Sequence, residues 1–525
     1  MRVITELRGV LVPTIFAFAP VVAFILATQD VLLPVGSSIV RIGFVLGAAI
    51  VVVYGALRSR RSPRAASSTI AVPCVAIALY PLAHSLGVSL GVTRENVFAW
   101  SYLALAVAAG CLVARLTDRE ARALYETMTL ASLAVLIGSA FVVVRAYVVE
   151  RPFAAPVAAA VARISSPLPA VPRPALRPDI FHLVLDGMGR PDVLAKEYGL
   201  NLHRELEQLR ALGFDVEADV GHTNYVQTHL SLASMLNFDY LDELTTISSM
   251  GNFREPLRTL LGHARAPGTL KRLGYHVEFI GPGSRSEGAF EVADRCDCPQ
   301  LWFSEPEVGA MTLTPLKVLL HLGLGQERFF RRSLHVFEAF ERSRFDAVPR
   351  YVYAHVMLPH PPFVADERGE FTNPRRPLSG ADGTYFPGTA EEYRAGYRAQ
   401  ATFTFRRTLA AVARVVAQSE REARDTLIIV HGDHGPRLGF DARDPTAESG
   451  RYSLPVLLAI RWPRGVEPRE APRSLVNVYR TVFRDVFGYA LPALADRAYV
   501  SGFSRPYALT PSQPYAAAGD APTVH

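Results

Sequence analysis

Residues 426–435 read Thr-Leu-Ile-Ile-Val-His-Gly-Asp-His-Gly. The run from Thr426 to Val430 is short, apolar and rich in β-branched residues, which is typical of a buried central strand in a parallel sheet. It is followed by Asp433 and His434, a carboxylate and an imidazole of the kind that bind metal ions. In open α/β sheets, ligands bind at the carboxyl ends of the strands. The stretch therefore predicts an α/β fold with a metal site, and a solvated strand-to-helix turn is the alternative interpretation.

The first 149 residues contain five predominantly apolar segments, each long enough to be a transmembrane-helix candidate. They lie at about 11–28, 40–57, 69–90, 96–114 and 127–147. A cleavable signal peptide would explain the first segment but not the other four. The pattern predicts a bundle of five transmembrane helices within residues 1–149, with buried core helices as the alternative.

Arginines are concentrated in alternate loops of this region. They stand before the first predicted span, after the second and after the fourth, at Arg2, Arg8, Arg58, Arg60, Arg61, Arg64, Arg115, Arg119 and Arg122. Because cytoplasmic loops are rich in Arg and Lys, this distribution places the N-terminus inside and, after an odd number of spans, the C-terminal region outside. We predict a multi-pass protein of the bacterial cytoplasmic membrane whose main domain is periplasmic or extracellular. The formal net charge of +6 does not call for nucleic acid, since these arginines account for much of it.

The remainder of the chain divides by composition. Residues 150–177 are rich in Pro and Ala, which predicts a semi-rigid linker with its helices interrupted, and residues 507–525 predict a frayed tail. Residues 178–506 alternate strand and helix patterns, which predicts a doubly wound α/β domain. The predicted strands are 180–185, 276–280, 350–358, 426–430 and 454–460, and the predicted helices include 202–212 and 391–418.

The four cysteines carry little information. Cys74 and Cys111 lie inside predicted spans, where a free thiol behaves as a small apolar group. Cys296 and Cys298 lie in the predicted exported domain, where they form either a local disulfide or two free thiols.

Three more candidate residues lie at predicted strand ends or at a helix start. Asp186 follows the strand 180–185, Thr228 opens a run of small and apolar residues at helical spacing, and His360 follows the strand 350–358 within Pro-His-Pro-Pro-Phe. Each has an ordinary alternative: a turn-forming Asp-Gly, a capping Thr and a solvated loop histidine. A helix start also stabilises an anion, so it would favour an alkoxide nucleophile at Thr228.

In their order and spacing, these motifs resemble the alkaline phosphatase superfamily, in particular its sulfatase-like membrane branch. That branch includes lipoteichoic acid synthases and phosphoethanolamine transferases, in which five membrane helices precede an exported catalytic domain. The resemblance implies one divalent metal ion, zinc or manganese, held by Asp186, Thr228, Asp433 and His434. Many of the transferases have Glu where this chain has Asp186. The side chain of Asp186 is one methylene shorter than that glutamate.

The resemblance also implies a phosphoryl-transfer reaction. A metal ion lowers the pKa of a coordinated threonine hydroxyl, so Thr228 would attack phosphorus and form a phosphothreonine intermediate. We expect His360, Asn224 and His229 to bind substrate. A membrane phospholipid is the expected donor, and an envelope glycan, a lipid or water the expected acceptor.

The motifs of other enzyme classes in the superfamily differ from those of this chain. Sulfatases typically carry a Cys/Ser-x-Pro-x-Arg motif, which neither Thr228 nor Cys298 matches. Two-metal phosphodiesterases typically carry Asp-x-x-x-His between the nucleophile and the final Asp-His, which favours one metal because the motif is missing here. A histidine does not stand four residues after any of the following aspartates: Asp239, Asp242, Asp294, Asp297, Asp346, Asp366 and Asp382. A sulfatase and a non-catalytic envelope glycan-binding or assembly protein remain the alternatives.

Overall fold

The chain folds into two compact units in a computed structural model. Unit 1 comprises Met1–Pro152 and Leu301–Leu322, and unit 2 comprises Phe153–Gln300 and Gly323–His525. The structure describes residues 2–28, 36–90, 95–150, 154–169, 176–250, 254–281, 289–298, 311, 314–316, 324–372 and 382–515.

Unit 1 is helical. Its helices are α1 (Arg2–Thr28), α2 (Gly36–Arg58), α3 (Pro63–Ser89), α4 (Glu95–Val113) and α5 (Asp118–Glu150), and each overlaps one predicted span. Among the described residues, the stretch Pro63–Gly87 of α3 is long and apolar enough to cross a membrane, and two further apolar stretches, Ile42–Arg58 and Val97–Val113, are shorter. One clear candidate span is therefore present in the described residues, and the five spans stay a prediction.

Unit 2 is built on a mixed six-stranded sheet. The strands are β1 (Asp179–Leu185), β2 (His276–Ile280), β3 (Arg295–Asp297), β4 (Arg350–Val356), β5 (Thr426–Gly432) and β6 (Leu458–Arg461). Their order is β3-β2-β4-β1-β5-β6, with β6 antiparallel to β5 and all other neighbours parallel. β1 and β5 are buried at every position, as their apolar runs predict.

Helices cover both faces of this sheet, which confirms the predicted layer architecture. The helices are α6 (Ala154–Ser165), α7 (Pro191–Tyr198), α8 (His203–Ala211), α9 (Thr228–Asn237), α10 (Glu255–Gly262), α11 (Arg265–Arg272), α12 (Leu324–Arg342), α13 (Ala390–Arg421), α14 (Ala447–Gly450) and α15 (Leu475–Thr481). Residues of α9, α10, α11 and α15 pack with Ile180 and Val184 on one face of the sheet. Residues of α8, α12 and α13 pack with Phe181 and Leu183 on the other.

Three elements differ from the sequence-based prediction. Helix α6 lies inside the predicted linker. Pro156 does not interrupt it, because this proline is in the first turn, where a missing N–H costs no intrahelical bond. The predicted tail contains β8 (Thr510–Ser512), which pairs with β7 (Ala498–Val500). β6 begins at Leu458, four residues later than the predicted start at residue 454, because Val456 bonds to Gly221 instead of to β5.

Cys296 and Cys298 form a disulfide at the edge strand β3, which resolves the alternative left open by the sequence. Cys74 and Cys111 are free thiols.

Candidate active site

Asp186 and Asp433 leave the sheet side by side. Leu185 pairs with Gly432 in the parallel register of β1 and β5, so the next residue of each strand carries a carboxylate. The backbone N–H of Gly187 donates to Asp433 Oδ1 (2.9 Å), and a Cβ at Gly432 would collide with the carbonyl oxygen of Met188. Close backbone approach thus requires glycine at the end of β5.

His434 lies between these two carboxylates. Its Nε2 is 3.3 Å from Asp186 Oδ1 and 3.6 Å from Asp433 Oδ2. Its Nδ1 is 2.8 Å from the carbonyl oxygen of Gly435, and because a carbonyl only accepts, the proton is on Nδ1 and the Nε2 lone pair faces the carboxylates. Asp433 and His434 are fully buried, which excludes the solvated turn considered for this stretch.

Two further histidines complete the cluster. The backbone N–H of His360 donates to the carbonyl oxygen of Asp186 (2.9 Å), and His355 Nε2 is 3.7 Å from Asp186 Oδ2. Two groups of three have ligand atoms within 4.8 Å of one another, namely Asp186, His360 and His434, and Asp186, His355 and Asp433. His355 was not predicted, although a histidine inside the otherwise apolar and aromatic end of β4 is a detectable signal.

The donor set fits a divalent cation. Asp186 Oδ1, Asp433 Oδ2 and His434 Nε2 are buried and have no hydrogen-bond partner in the part of the chain that the structure describes. Buried polar atoms normally have such partners, and three that converge on one place are suited to bind a cation together. Carboxylate oxygen and imidazole nitrogen are ligands suited to zinc and manganese.

Electrostatic interactions within the cluster favour the ionised carboxylate of Asp186. Burial alone raises the pKa of Asp186, but His360, His434 and His355 together hold it below its ordinary value. Burial and the charge of Arg437 lower the pKa of His434, whereas Asp433 and Asp186 raise it, and the net result lies above its ordinary value. A metal ion that binds here would compete with this proton.

Thr228 is the first residue of α9, as the sequence predicts, and it is half-buried. The N-cap is Gln227, so the hydroxyl of Thr228 is not the cap. Two contacts connect the residues around it to the strand-end segment: Ser231 Oγ donates to the carbonyl oxygen of Asp433 (2.7 Å), and Arg437 Nη2 donates to that of Val226 (2.6 Å). The start of α9 is thereby held against the segment that carries Asp433 and His434.

Asn224 and His229, both expected to bind substrate, have different surroundings. Asn224 is almost fully buried; its Oδ1 accepts from the N–H of Val476 (2.9 Å) and its Nδ2 donates to the carbonyl oxygen of Arg497 (2.8 Å). These contacts favour a structural role for Asn224. His229 is half-buried in the first turn of α9, and its role stays a prediction.

The loop that carries His360 is held by Gln400, a buried residue of α13. Gln400 Nε2 donates to the carbonyl oxygen of His360 (3.0 Å), while Oε1 accepts from the N–H groups of Val364 (2.8 Å) and Ala365 (3.2 Å). The side chain that bonds to the loop backbone thus comes from a distant element, α13. A polar residue on the buried face of an amphipathic helix was the available signal.

A profile of the sulfatase family matches residues 178–488, more than half of the chain. The chain belongs to the sulfatase family. It is therefore a sulfatase-like enzyme of the alkaline phosphatase superfamily, as the order of its motifs predicted.

Solved structures of low sequence identity are also similar to this sulfatase-family chain. The C-terminal periplasmic domain of EcEptC from Escherichia coli, in complex with Zn, is 12% identical with a TM-score of 0.41, and the match covers 66% of this chain and 98% of that one. The integral membrane lipooligosaccharide phosphoethanolamine transferase A (EptA) from Neisseria meningitidis is 12% identical with a TM-score of 0.38, covering 91% and 95%. The putative sulfatase yidJ from Bacteroides fragilis is 14% identical with a TM-score of 0.36, covering 64% and 83%. No curated protein sequence matches the chain.

Proposed function

We propose that this protein is a membrane-anchored, metal-dependent phosphotransferase or phosphodiester hydrolase that uses Thr228 as its nucleophile. The proposal is carried by the convergence of three buried ligand atoms without hydrogen-bond partners among the described residues, from Asp186, Asp433 and His434. The segment that contains Asp433 and His434 is also bonded to α9 through Ser231. Such an arrangement suits a site at which charge develops on oxygen.

Asp186, Asp433, His434 and the hydroxyl of Thr228 would hold the metal ion. When bound, the ion supplies positive charge that lowers the pKa of the hydroxyl and offsets charge on the phosphoryl oxygens. Thr228 Oγ forms a bond to phosphorus while the bond from phosphorus to the donor's ester oxygen breaks, which gives phosphothreonine. An acceptor hydroxyl or water then attacks phosphorus and releases Thr228. His360, whose backbone N–H donates to the carbonyl oxygen of Asp186, would bind the phosphoryl group or the acceptor.

The residue type at the start of α9 favours phosphoryl transfer over sulfate ester hydrolysis. Sulfatases typically use an aldehyde that is made from a Cys or Ser side chain, and threonine carries a secondary alcohol, whose oxidation gives a ketone instead. Sulfate ester hydrolysis is therefore the second candidate within the family.

Membrane attachment is supported by the surface of unit 1. Large apolar side chains are exposed along its helices, among them Phe44 (77%), Leu105 (68%) and Leu130 (71%). Exposed apolar patches of this kind mark contact with lipid or another apolar partner. We propose that α1–α5 all cross the bacterial cytoplasmic membrane, with unit 2 outside it. A tethered enzyme would gain from the proximity of a membrane phospholipid donor and an envelope glycan or lipid acceptor.

The test is a comparison of esters with the full-length protein in detergent. Zinc- or manganese-loaded protein is incubated with bis(p-nitrophenyl) phosphate, p-nitrophenyl phosphate and p-nitrophenyl sulfate. We expect turnover of a phosphate ester, and Thr228→Val should lower kcat by about 10³-fold or more because it keeps the shape and removes the nucleophilic oxygen. Thr246→Val, at an exposed threonine of unit 2, is the control.

Each contrary result has a meaning of its own. Turnover of the sulfate ester alone would establish a sulfatase. Unchanged activity in Thr228→Val would remove the proposed nucleophile. If the protein neither binds metal nor turns over any of the esters, the result would point to a non-catalytic envelope protein.

A further inference from the structure

Arg437 lies three residues after His434, and nothing in the predicted site includes it. We propose that Arg437 is a further catalytic residue whose guanidinium binds a non-bridging oxygen of the phosphoryl group attacked by Thr228. This inference rests on the proposed function, because it assigns a role within that site.

The position of the guanidinium is fixed by its contacts. The backbone N–H of Arg437 donates to the hydroxyl of Tyr393 (3.1 Å), and Nη2 donates to the carbonyl oxygen of Val226 (2.6 Å). Nη1 is 3.8 Å from Asp382 Oδ2, and the same oxygen is 3.6 Å from His360 Nε2. The side chain therefore extends from the residues that precede Thr228 to the carboxylate beside His360.

One donor of Arg437 is left open. The side chain is only 11% exposed, and its buried Nε has no hydrogen-bond acceptor among the described residues. In the planar guanidinium, the Nε–H and one Nη2–H lie on the same edge. Because Nη2 donates to Val226, two residues before Thr228, the Nε–H faces that side as well. A buried donor without an acceptor is costly, and an oxygen of the substrate would satisfy it.

The carboxylates around the site make a cation beside the metal ion favourable for binding an anionic substrate. Asp186, Asp433 and Asp382 are buried carboxylates, and an anionic substrate would be repelled by them. A guanidinium stays protonated throughout catalysis and binds phosphate oxygens in a directional way. Asp382 is fixed through Oδ1, which accepts from the hydroxyl of Tyr393 (2.6 Å) and the N–H of Gly383 (2.8 Å). Its Oδ2 contacts Nη1 of Arg437 and leaves Nε without an acceptor among the described residues.

The role adds no proton transfer to the reaction. As the bond from Thr228 Oγ to phosphorus forms and the bond to the leaving oxygen breaks, Arg437 keeps its proton and donates a hydrogen bond to a non-bridging oxygen. Lysine would retain the positive charge but would lack the Nε–H edge that faces the start of α9.

The experiment measures anion binding and turnover separately. Inorganic phosphate is titrated into the zinc-loaded, full-length protein by calorimetry, for the wild type, Arg437→Met, Arg437→Lys and the control Arg464→Met, an arginine that is 71% exposed. We expect the phosphate Kd to rise about 10- to 100-fold in both Arg437 variants, the size expected for a lost charged hydrogen bond, and to stay unchanged in the control. The kcat/KM for bis(p-nitrophenyl) phosphate should fall with it, and added guanidinium ion should restore part of the activity of Arg437→Met.

The outcomes separate the inference from the proposed function. Wild-type protein that turns over no phosphate ester, yet binds phosphate in an Arg437-dependent way, contradicts the proposed function and supports the anion-binding role. Active wild-type protein whose Arg437 variants bind phosphate as tightly overturns the inference. If Arg437→Met does not fold, Arg437→Lys gives the same comparison, since it keeps the buried charge.

Discussion

At the scale of single residues, Asp433 connects three parts of the site. Its Oδ1 accepts from the N–H of Gly187, its Oδ2 faces His434, and its carbonyl oxygen accepts from Ser231 in α9. Two of these contacts come from other elements, so Asp433 links the ends of β1 and β5 to the first turns of α9.

Asp433→Asn is expected to weaken zinc binding by about 100-fold or more, because the amide can still accept from Gly187 but no longer supplies a negative charge to the cation. Competition with a chromophoric chelator on the full-length protein measures this affinity. Asp441→Asn, at a half-buried aspartate of unit 2 that is in neither candidate ligand group, is the matched control. An unchanged zinc affinity in Asp433→Asn would exclude Asp433 as a ligand.

At the scale of elements, the site is assembled by strands and a long helix together. β1, β4 and β5 are parallel neighbours, so their carboxyl ends bring Asp186, His355 and Asp433 to one edge of the sheet. Helix α13 begins with a capping box formed by Thr389 and Glu392 and bonds through Gln400 to the His360 loop. The strands position the proposed metal ligands, while α13 positions the loop that passes over them.

Gln400→Leu is expected to lower the free energy of unfolding by about 2–4 kcal/mol, because it leaves buried backbone groups of the His360 loop without partners. The kcat/KM for a phosphate diester should fall as well, since His360 loses its support. Denaturant unfolding and steady-state kinetics measure the two effects. Gln418→Leu, farther along α13 where the side chain bonds to Glu422, should change neither, and equal behaviour of the two variants would refute the role of Gln400.

At the scale of the whole molecule, the interior of unit 2 contains titratable groups that the site does not use. His182 and His431 are fully buried on β1 and β5 with their Nε2 atoms 2.8 Å apart, and His182 Nδ1 is 2.9 Å from the hydroxyl of Tyr479. Burial, with His431 and His355 nearby, lowers the pKa of His182 well below its ordinary value.

Acidification is therefore expected to destabilise the protein. The folded state keeps His182 neutral, whereas in the unfolded state it takes up a proton below its ordinary pKa, so stability is present above about pH 6.5 and lost as the pH falls. For one such group the loss is about 1.4 kcal/mol by pH 5.5. Thermal unfolding of the full-length protein between pH 7.5 and 5.5 measures it. His182→Gln should show a shallower pH dependence than the wild type, and an identical slope would contradict this prediction.

Local pattern was sufficient for much of the fold. The apolar runs of β1, β2 and β5 predicted their bounds to within about two residues, because strands buried on both faces have a composition of their own. The proposed ligands Asp186, Asp433 and His434 were recognisable because they lie within four residues after such a strand. The start of β6 at Leu458 was not predictable, since it depends on Val456 bonding to Gly221, far away in the sequence.

The sequence by itself determined the α/β layers, the helical N-terminal region, the sulfatase-family motifs and the position of Thr228 at a helix start, because these follow from composition and short-range spacing. Only the tertiary structure decided that His355 joins the carboxylates, that Gln400 bonds to the His360 loop, and that Arg437 bonds to the residue two before Thr228 while its Nε stays without an acceptor among the described residues. The physical reason is that each of these contacts joins elements distant in the chain, and their geometry exists only after the sheet and its helices have packed.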